Sequence, residues 1–98
     1  MNIQALQTTW GKIEAEAKFL YISTSRFVRD MIFAWRDGCE TREIPKFENR
    51  DTIITSIHTD TEQRKAIKDI LITYNLTHKQ LIEAAWAWYI FCRGAKRD

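Results

Sequence analysis

Residues 51–80 read DTIITSIHTD TEQRKAIKDI LITYNLTHKQ, and this stretch decides the fold. Residues 51–59 are rich in isoleucine and threonine and contain no Gly or Pro, which predicts a β-strand. Thr59, followed three residues later by Glu62, has the sequence pattern of a capping box. A helix is therefore expected to begin near Asp60, directly after the strand.

The helix after the strand has apolar residues spaced three and four apart, as expected for one buried face: Ala66, Ile67, Ile70, Leu71 and Tyr74. Asn75 follows, and asparagine is suited to the left-handed conformation that ends many helices. Thr77 with Gln80 forms a second capping-box pattern and predicts a second helix, with Gly94 as its C-terminal stop. The predicted order is strand, helix, tight turn, helix.

The first half of the chain repeats this pattern at one constant displacement along the sequence. At this displacement, which we call the repeat shift, Ile3 is equivalent to Ile57. No gap is needed from residue 2 to residue 35. The pattern predicts one unit at residues 1–37, a linker at 38–51, a second unit at 52–94 and a basic tail at 95–98. The linker is charged and holds the sole proline. An alternative is that the first half is only a helical hairpin, which would make the protein an obligate dimer.

Three positions of the first unit depart from the repeat. At the repeat shift the charged Glu16 is equivalent to the apolar Ile70, and the apolar Phe19 is equivalent to the polar Thr73. Tyr21 stands where the second unit has its turn asparagine. Because a left-handed conformation costs a residue such as tyrosine about 1–2 kcal/mol, the first turn is expected to be built differently.

Composition limits the class of protein. The chain has 98 residues, 45% of them hydrophobic and 29% charged, which fits one globular domain. The net charge of +2 permits a nucleic-acid partner without requiring one. Residues 1–7 lack the apolar core of a signal peptide, and the longest apolar run, 84–92, is too short to span a bilayer. We therefore expect a cytoplasmic protein.

No catalytic pattern is present in the sequence. Cys39, Cys92, His58 and His78 lack the spacing of metal ligands. A Gly-rich phosphate loop, a nucleophile elbow and paired carboxylates are also missing. The two cysteines are expected to be reduced and structural, and we predict no enzyme, no cofactor and no metal.

The pattern of residues 53–58 for a strand, 62–74 for a first helix and 76–79 for the turn into a second helix resembles the ribbon-helix-helix superfamily of the Arc, MetJ and CopG repressors. With two units in one chain, it is similar to the tandem TraY-type form. The resemblance implies a mainly α fold in which two tandem units form an intramolecular pseudo-dimer around a short two-stranded antiparallel β-ribbon. It also implies that this ribbon enters the major groove of double-stranded DNA, in a transcriptional repressor or an accessory factor of a nucleoprotein complex. Such a protein would be prokaryotic, or encoded by a virus or plasmid and associated with the nucleoid.

Alternation along the ribbon sends every second side chain outward when Ile53, Thr55 and Ile57 face the core. The expected base-contacting residues are Asn2, Gln4, Ile54, Ser56 and His58. The simpler interpretation is that these are ordinary solvated strand residues. The family often carries a Lys or Arg on this ribbon and this sequence has none, so guanine recognition is not expected from it.

The second helix of each unit begins with hydroxyl and basic residues. Free N–H groups and the positive end of the helix dipole favour anions there. In the family such starts hold phosphates on either side of the ribbon, which here implies Ser23, Thr24, Ser25, Arg26, Thr77, His78 and Lys79. Plain N-capping by Ser23 and Thr77 is the alternative, and the two roles are compatible.

Two further groups of residues have competing interpretations. The segment 84–91, AAWAWYIF, is apolar on more than one helical face. It predicts either a helix buried between the units or a surface for a protein partner or a second copy, through Trp86, Trp88 and Phe91. The second interpretation makes the protein an interaction module that does not bind DNA. Residues 64–68 are interpreted as a solvated basic face, and Arg93, Lys96 and Arg97 as candidate phosphate contacts.

Overall fold

The computed structural model describes residues 1–38, 43–48 and 50–97, with side chains described as far as residue 93. The described part is mainly helical and contains one two-stranded antiparallel sheet. Its elements follow in this order: β1 (Asn2–Leu6), α1 (Gln7–Phe19), α2 (Thr24–Gly38), β2 (Thr52–Ser56), α3 (Thr61–Thr73) and α4 (His78–Arg97). None of these helices is both long enough and apolar enough to cross a membrane.

The ribbon joins the two halves of the chain. β1 and β2 are antiparallel, with Asn2 opposite Ser56 and Gln4 opposite Ile54. The N-terminal ammonium of Met1 donates to the Ile57 carbonyl and the Ile57 N–H donates to the Met1 carbonyl, both at 3.0 Å, so the pairing extends one residue beyond the strands. The alternative in which the first half is only a helical hairpin is therefore wrong.

The two helical hairpins have corresponding bounds. At the repeat shift, both ends of α1 are equivalent to the ends of α3, and the first residue of α2 is equivalent to the first residue of α4. The bounds of the strands are not equivalent at the repeat shift, because Asn2, the first residue of β1, corresponds to Ser56, the last residue of β2. β1 continues directly into α1, whereas residues 57–60 separate β2 from α3. The displacement found in the sequence is thus present in the helices and not in the strands.

The turn between the helices is built in the same way in both hairpins. Tyr21 has a φ of 58° and Asn75 has a φ of 52°, both in the left-handed region. The residue after each donates its N–H to the carbonyl five residues earlier, at 3.1 Å in the first turn and 2.8 Å in the second. The expectation of a different first turn is wrong, because these backbone bonds hold Tyr21 in the strained conformation.

Tyr21 is 96% exposed, so its side chain contributes little packing to offset this strain. We expect Tyr21→Gly to raise the free energy of unfolding by about 1 kcal/mol, because glycine adopts positive φ without a steric cost. Urea denaturation measures the change. Lys18→Gly, on the exposed face of the preceding helix, should instead lower stability, and a stabilisation of both variants alike would contradict the argument.

Three predicted boundaries require correction. β2 is shorter than residues 51–59, and the N-cap of α3 is Asp60 rather than Thr59. The Asp60 carboxylate accepts from the Gln63 N–H at 2.7 Å, and the Gln63 side chain accepts from the Asp60 N–H at 3.0 Å. α4 continues through Gly94 to Arg97, since a glycine inside a helix costs only about 1 kcal/mol and is followed by good helix formers.

One core is shared by both halves. The largest fully buried side chain is Trp35, which packs edge-on against Tyr74 with ring centroids 5.8 Å apart. α4 packs against α2 and β1, and its buried members include Leu81 and Ile82. Cys92 is half-buried and not disulfide-bonded. The expectations for Cys39, for residues 40–42 and 49 of the linker, and for the side chains of the tail lie outside the described residues.

Candidate nucleic-acid interface

One face of the ribbon is exposed except at Leu6, the last residue of β1, which is half-buried. The outward side chains predicted from the alternation are all exposed: Asn2, Gln4, Ile54, Ser56 and His58. Ile54, at the middle of β2, is 72% exposed, which is unusual for so large an apolar side chain. On the opposite face Ile3, Ala5 and Ile57 are buried. The predicted alternation is confirmed, and it yields a ridge with an isoleucine at its centre.

A hydrogen bond orients one of the outward amides. The Ser56 hydroxyl donates to Oδ1 of Asn2 at 2.6 Å across the ribbon. The Asn2 carbonyl oxygen is therefore occupied, and its NH₂ group remains as the donor for a ligand. Sequence reasoning missed this pair because it depends on the strand register.

The start of α4 is held against one edge of the ribbon. Nδ1 of His78 accepts from the Gln4 N–H at 3.4 Å, and Nζ of Lys79 donates to Oγ1 of Thr52 at 3.2 Å. The capping box predicted for this helix is confirmed, since Oγ1 of Thr77 accepts from the N–H of residue 80 at 3.2 Å and the reciprocal bond is 2.9 Å. The basic side chain of Lys79 is thus held beside β2.

The start of α2 is held against the other end of the ribbon in a corresponding way. The Ser25 hydroxyl accepts from the His58 N–H at 2.8 Å, and Arg29 donates to the His58 carbonyl at 2.6 Å. The repeat shift relates Gln4 of β1 to His58, which follows β2, and the two residues bind opposite helix starts. The Ser23 hydroxyl caps the helix through the Arg26 N–H at 3.1 Å. The structure therefore brings both predicted helix starts to the ribbon.

The predicted phosphate-contacting side chains differ in exposure. Ser23, Arg26 and Thr77 are exposed, and the rest are half-buried: Thr24, Ser25, His78 and Lys79. Arg26 pairs with Asp30 at 3.7 Å in a largely exposed contact, which water screens strongly. The half-buried members Ser25 and His78 hold the ribbon itself.

A basic groove beside the ribbon was missed as a site. Arg64 and Lys68 are exposed, as expected of a solvated face, but they also line a shallow groove together with Met1, Asn2 and His78. The signal was available in the sequence, because basic residues four apart lie on one face of a helix. Two side-chain cations and the N-terminal ammonium therefore lie beside the outward face of the ribbon.

The His78 imidazole is expected to make the stability of the protein sensitive to mild acid. Burial lowers the pKa of His78 below its ordinary value of 6.5, because the charged form is poorly solvated there. The unfolded chain therefore takes up the proton first, and the free energy of unfolding should fall as the pH drops through about 6.5. Urea denaturation at pH 7.5 and pH 5.0 measures the loss. His78→Gln should lose less than the wild type, and an equal loss would contradict the assignment.

The aromatic side chains of α4 are mostly used in packing. Trp86 stacks on Tyr89 with centroids 5.6 Å apart and meets the edge of Phe27 at 6.3 Å. Trp88 is half-buried, whereas Phe91 is 73% exposed. Of the three residues predicted for a protein partner, only Phe91 has most of its surface available.

Comparisons of this chain with protein-family models, with curated proteins and with solved structures find no match. We therefore infer its function from the geometry of the ribbon and of the two helix starts that hold it. Both features are built from hydrogen bonds between residues that are distant in sequence.

Proposed function

We propose that this protein binds double-stranded DNA by inserting its ribbon into the major groove. The observation that carries the proposal is the exposed face of the ribbon, with a capped helix start bonded beside each of its strands. A two-stranded ribbon fits the major groove, which is about 12 Å wide. The output would be repression of a promoter or assembly of a nucleoprotein complex.

The proposal includes a tandem arrangement in which the chain acts as its own dimer. Two observations support it: at the repeat shift the hairpins share the bounds of α1 and α3, the starts of α2 and α4 and the turn bonds, and Gln4 and His58 are bonded to opposite helix starts. In this arrangement each unit would supply one strand and one phosphate-binding helix start. A monomer would then present the complete interface.

The ridge offers a specific set of contacts to base edges. Ile54 would meet a thymine methyl group, and the Gln4 amide opposite it could bind an adenine edge. The Asn2 amide, with its oxygen held by Ser56, would act as a donor to purine N7. The ribbon carries no Lys or Arg, so recognition would depend on amide and methyl contacts.

Phosphate contacts would come from the sides of the ridge. The N-terminal end of a helix attracts anions through its free N–H groups and dipole. Lys79 at the start of α4, Arg26 in the first turn of α2 and the groove cations Arg64 and Lys68 add positive charge near the ribbon. These contacts hold DNA of any sequence and depend on salt.

Fluorescence anisotropy with labelled duplexes across a range of salt concentrations tests the proposal. The logarithm of the affinity should fall linearly with the logarithm of the salt concentration. Lys79→Ala should weaken binding to all duplexes alike and reduce the salt slope by about 1. Ser56→Ala and His58→Ala should change sequence preference, with Lys65→Ala as an exposed control. Affinity that ignores salt, or an absence of binding to any duplex, would refute the proposal.

An interaction module that binds a protein instead of DNA is the second candidate function. It is favoured by the uncharged ribbon and by Phe91, which is 73% exposed on α4. In that case Phe91→Ala would abolish capture of a partner, while Lys79→Ala would leave it unchanged. DNA binding that survives Phe91→Ala and is lost on ribbon substitution would favour the first function.

A further inference from the structure

A cavity of about 620 Å³ opens between the end of α1, the middle of α2 and the end of α4. This volume is in the range of small-molecule sites, which are typically about 300–1,000 Å³. Its walls are largely apolar and aromatic, including Phe27, Trp88 and Tyr89, and its polar members include Glu16 and Asp30. The cavity involves neither the ribbon nor the two helix starts.

The cavity lies where the first hairpin departs from the second. Glu16 and Phe19 both line it, and they are the two residues of α1 that break the repeat. The repeat shift lays Glu16 on Ile70, an ordinary core residue that is 3% exposed. The first hairpin thus has a carboxylate at a position that a merely structural role would fill with an apolar side chain.

The equivalent place beside the end of α3 is closed by an aromatic pair. Tyr74, which follows α3, packs edge-on against Trp35 of α2 with ring centroids 5.8 Å apart. The repeat shift relates Tyr74 to Leu20 of the first hairpin and Trp35 to Tyr89 of α4, and both Leu20 and Tyr89 line the cavity. Leu20 is 43% exposed, so the smaller leucine leaves the cavity beside the end of α1 open.

Burying the Glu16 carboxylate costs free energy, because a charge is poorly solvated inside the protein. Glu16 is 7% exposed and its Oε2 is bonded to the Arg93 guanidinium, whose side chain is 34% exposed. Replacing such a buried ion pair with apolar residues is often neutral or stabilising, so the pair is poorly explained by stability alone. A carboxylate in the wall of a cavity can instead select a ligand by charge.

The described lining of the cavity holds more carboxylates than cationic groups. Glu16 and Asp30 contribute two carboxylates, and Arg93 is the one cationic group in the described lining. Asp30 also contacts Arg26, but that pair is exposed and weak. The aromatic residues Phe27, Trp88 and Tyr89 also line the cavity, and aromatic rings attract cations through their faces. We infer that the cavity binds a small organic cation with an apolar body, such as an aryl-alkyl amine.

Three probes of one shape test the inference on the full chain: 4-phenylbutylamine, 4-phenylbutanol and 4-phenylbutyrate. Calorimetry gives the affinities, and NMR shifts of the Trp88 indole report the site. The amine should bind about tenfold more tightly than the alcohol, and the acid most weakly. Equal affinities, an inverted order or no binding at millimolar concentration would overturn the inference.

Substitutions of single carboxylates test whether binding of the amine depends on the charges of the cavity wall. Glu16→Ile replaces the carboxylate in the cavity wall by the isoleucine found at the equivalent position of α3. This variant should not bind the amine. Asp30→Asn, at an exposed position that leaves the fold intact, should weaken binding severalfold. Glu14→Gln removes an exposed carboxylate of the same helix outside the cavity and should have no effect. Unchanged binding in both Glu16→Ile and Asp30→Asn would overturn the inference.

Discussion

Removal of the Arg93 guanidinium is expected to destabilise the protein by about 2–3 kcal/mol in Arg93→Ala. The substitution leaves the carboxylate of Glu16, a residue that is 7% exposed, without this partner, and an uncompensated buried charge is poorly solvated. The value is placed below that of a fully buried pair because the Arg93 side chain is 34% exposed, so water can partly replace it. Urea denaturation at pH 7 measures the loss.

A second substitution should restore most of this stability. Glu16→Ile removes the charge and supplies the apolar side chain found at the equivalent position of α3, so Arg93→Ala in that background should cost about 0.5 kcal/mol or less. The double-mutant cycle distinguishes an ion pair from simple packing of the arginine stem. A similar loss from Arg93→Ala in both backgrounds would show that packing, rather than the charge of Glu16, governs the effect.

The second half of the fold could be predicted from the sequence because its signals are local. The β-branched run, the three-and-four spacing of the helix and the Thr77 capping box each involve residues within one turn or strand. The N-cap of α3 was placed one residue early because two capping-box patterns overlap, Thr59 with Glu62 and Asp60 with Gln63. Asp60 forms the observed box, and local spacing does not distinguish the two.

β1 and α1 could be predicted only through the repeat. α1 has little amphipathic character, and its buried residues include a threonine and a glutamate. Its bounds nevertheless match those of α3 at the predicted displacement. The strand β1 has five residues of mixed character and depends on pairing with β2. Tertiary pairing, rather than propensity, therefore decides the structure of these two elements.

The contacts that build the candidate interface could not be predicted. Ser56 with Asn2, His78 with Gln4 and Ser25 with His58 join residues that are far apart in the chain. Their partners follow from the strand register and the packing of helices against the ribbon, neither of which local patterns fix. The cavity had a signal in the sequence, since Glu16 and Phe19 were the mismatches in the repeat.

Adjacent residues of β1 are expected to respond in opposite ways to the same substitution. Ala5 is fully buried beneath the ribbon, so Ala5→Asp places an unpaired carboxylate in the core and should cost about 4 kcal/mol or more, enough to unfold a marginally stable domain. Circular dichroism and urea denaturation would detect the loss. Gln4→Asp, one residue earlier on the exposed face, should change stability by less than about 1 kcal/mol.

The same pair of variants links the fold to the proposed function. Because Gln4 faces outward at the centre of the ridge, a carboxylate there would meet the negative potential of the groove and lose the amide contact. We expect Gln4→Asp to remain folded and to bind duplex DNA at least about tenfold more weakly, with Gln4→Glu weakened similarly. Lys65→Asp, an exposed charge reversal on α3, controls for a change in net charge alone. If Gln4→Asp and Lys65→Asp weakened binding equally, long-range charge would explain the effect, and the ribbon would not be the surface that reads DNA.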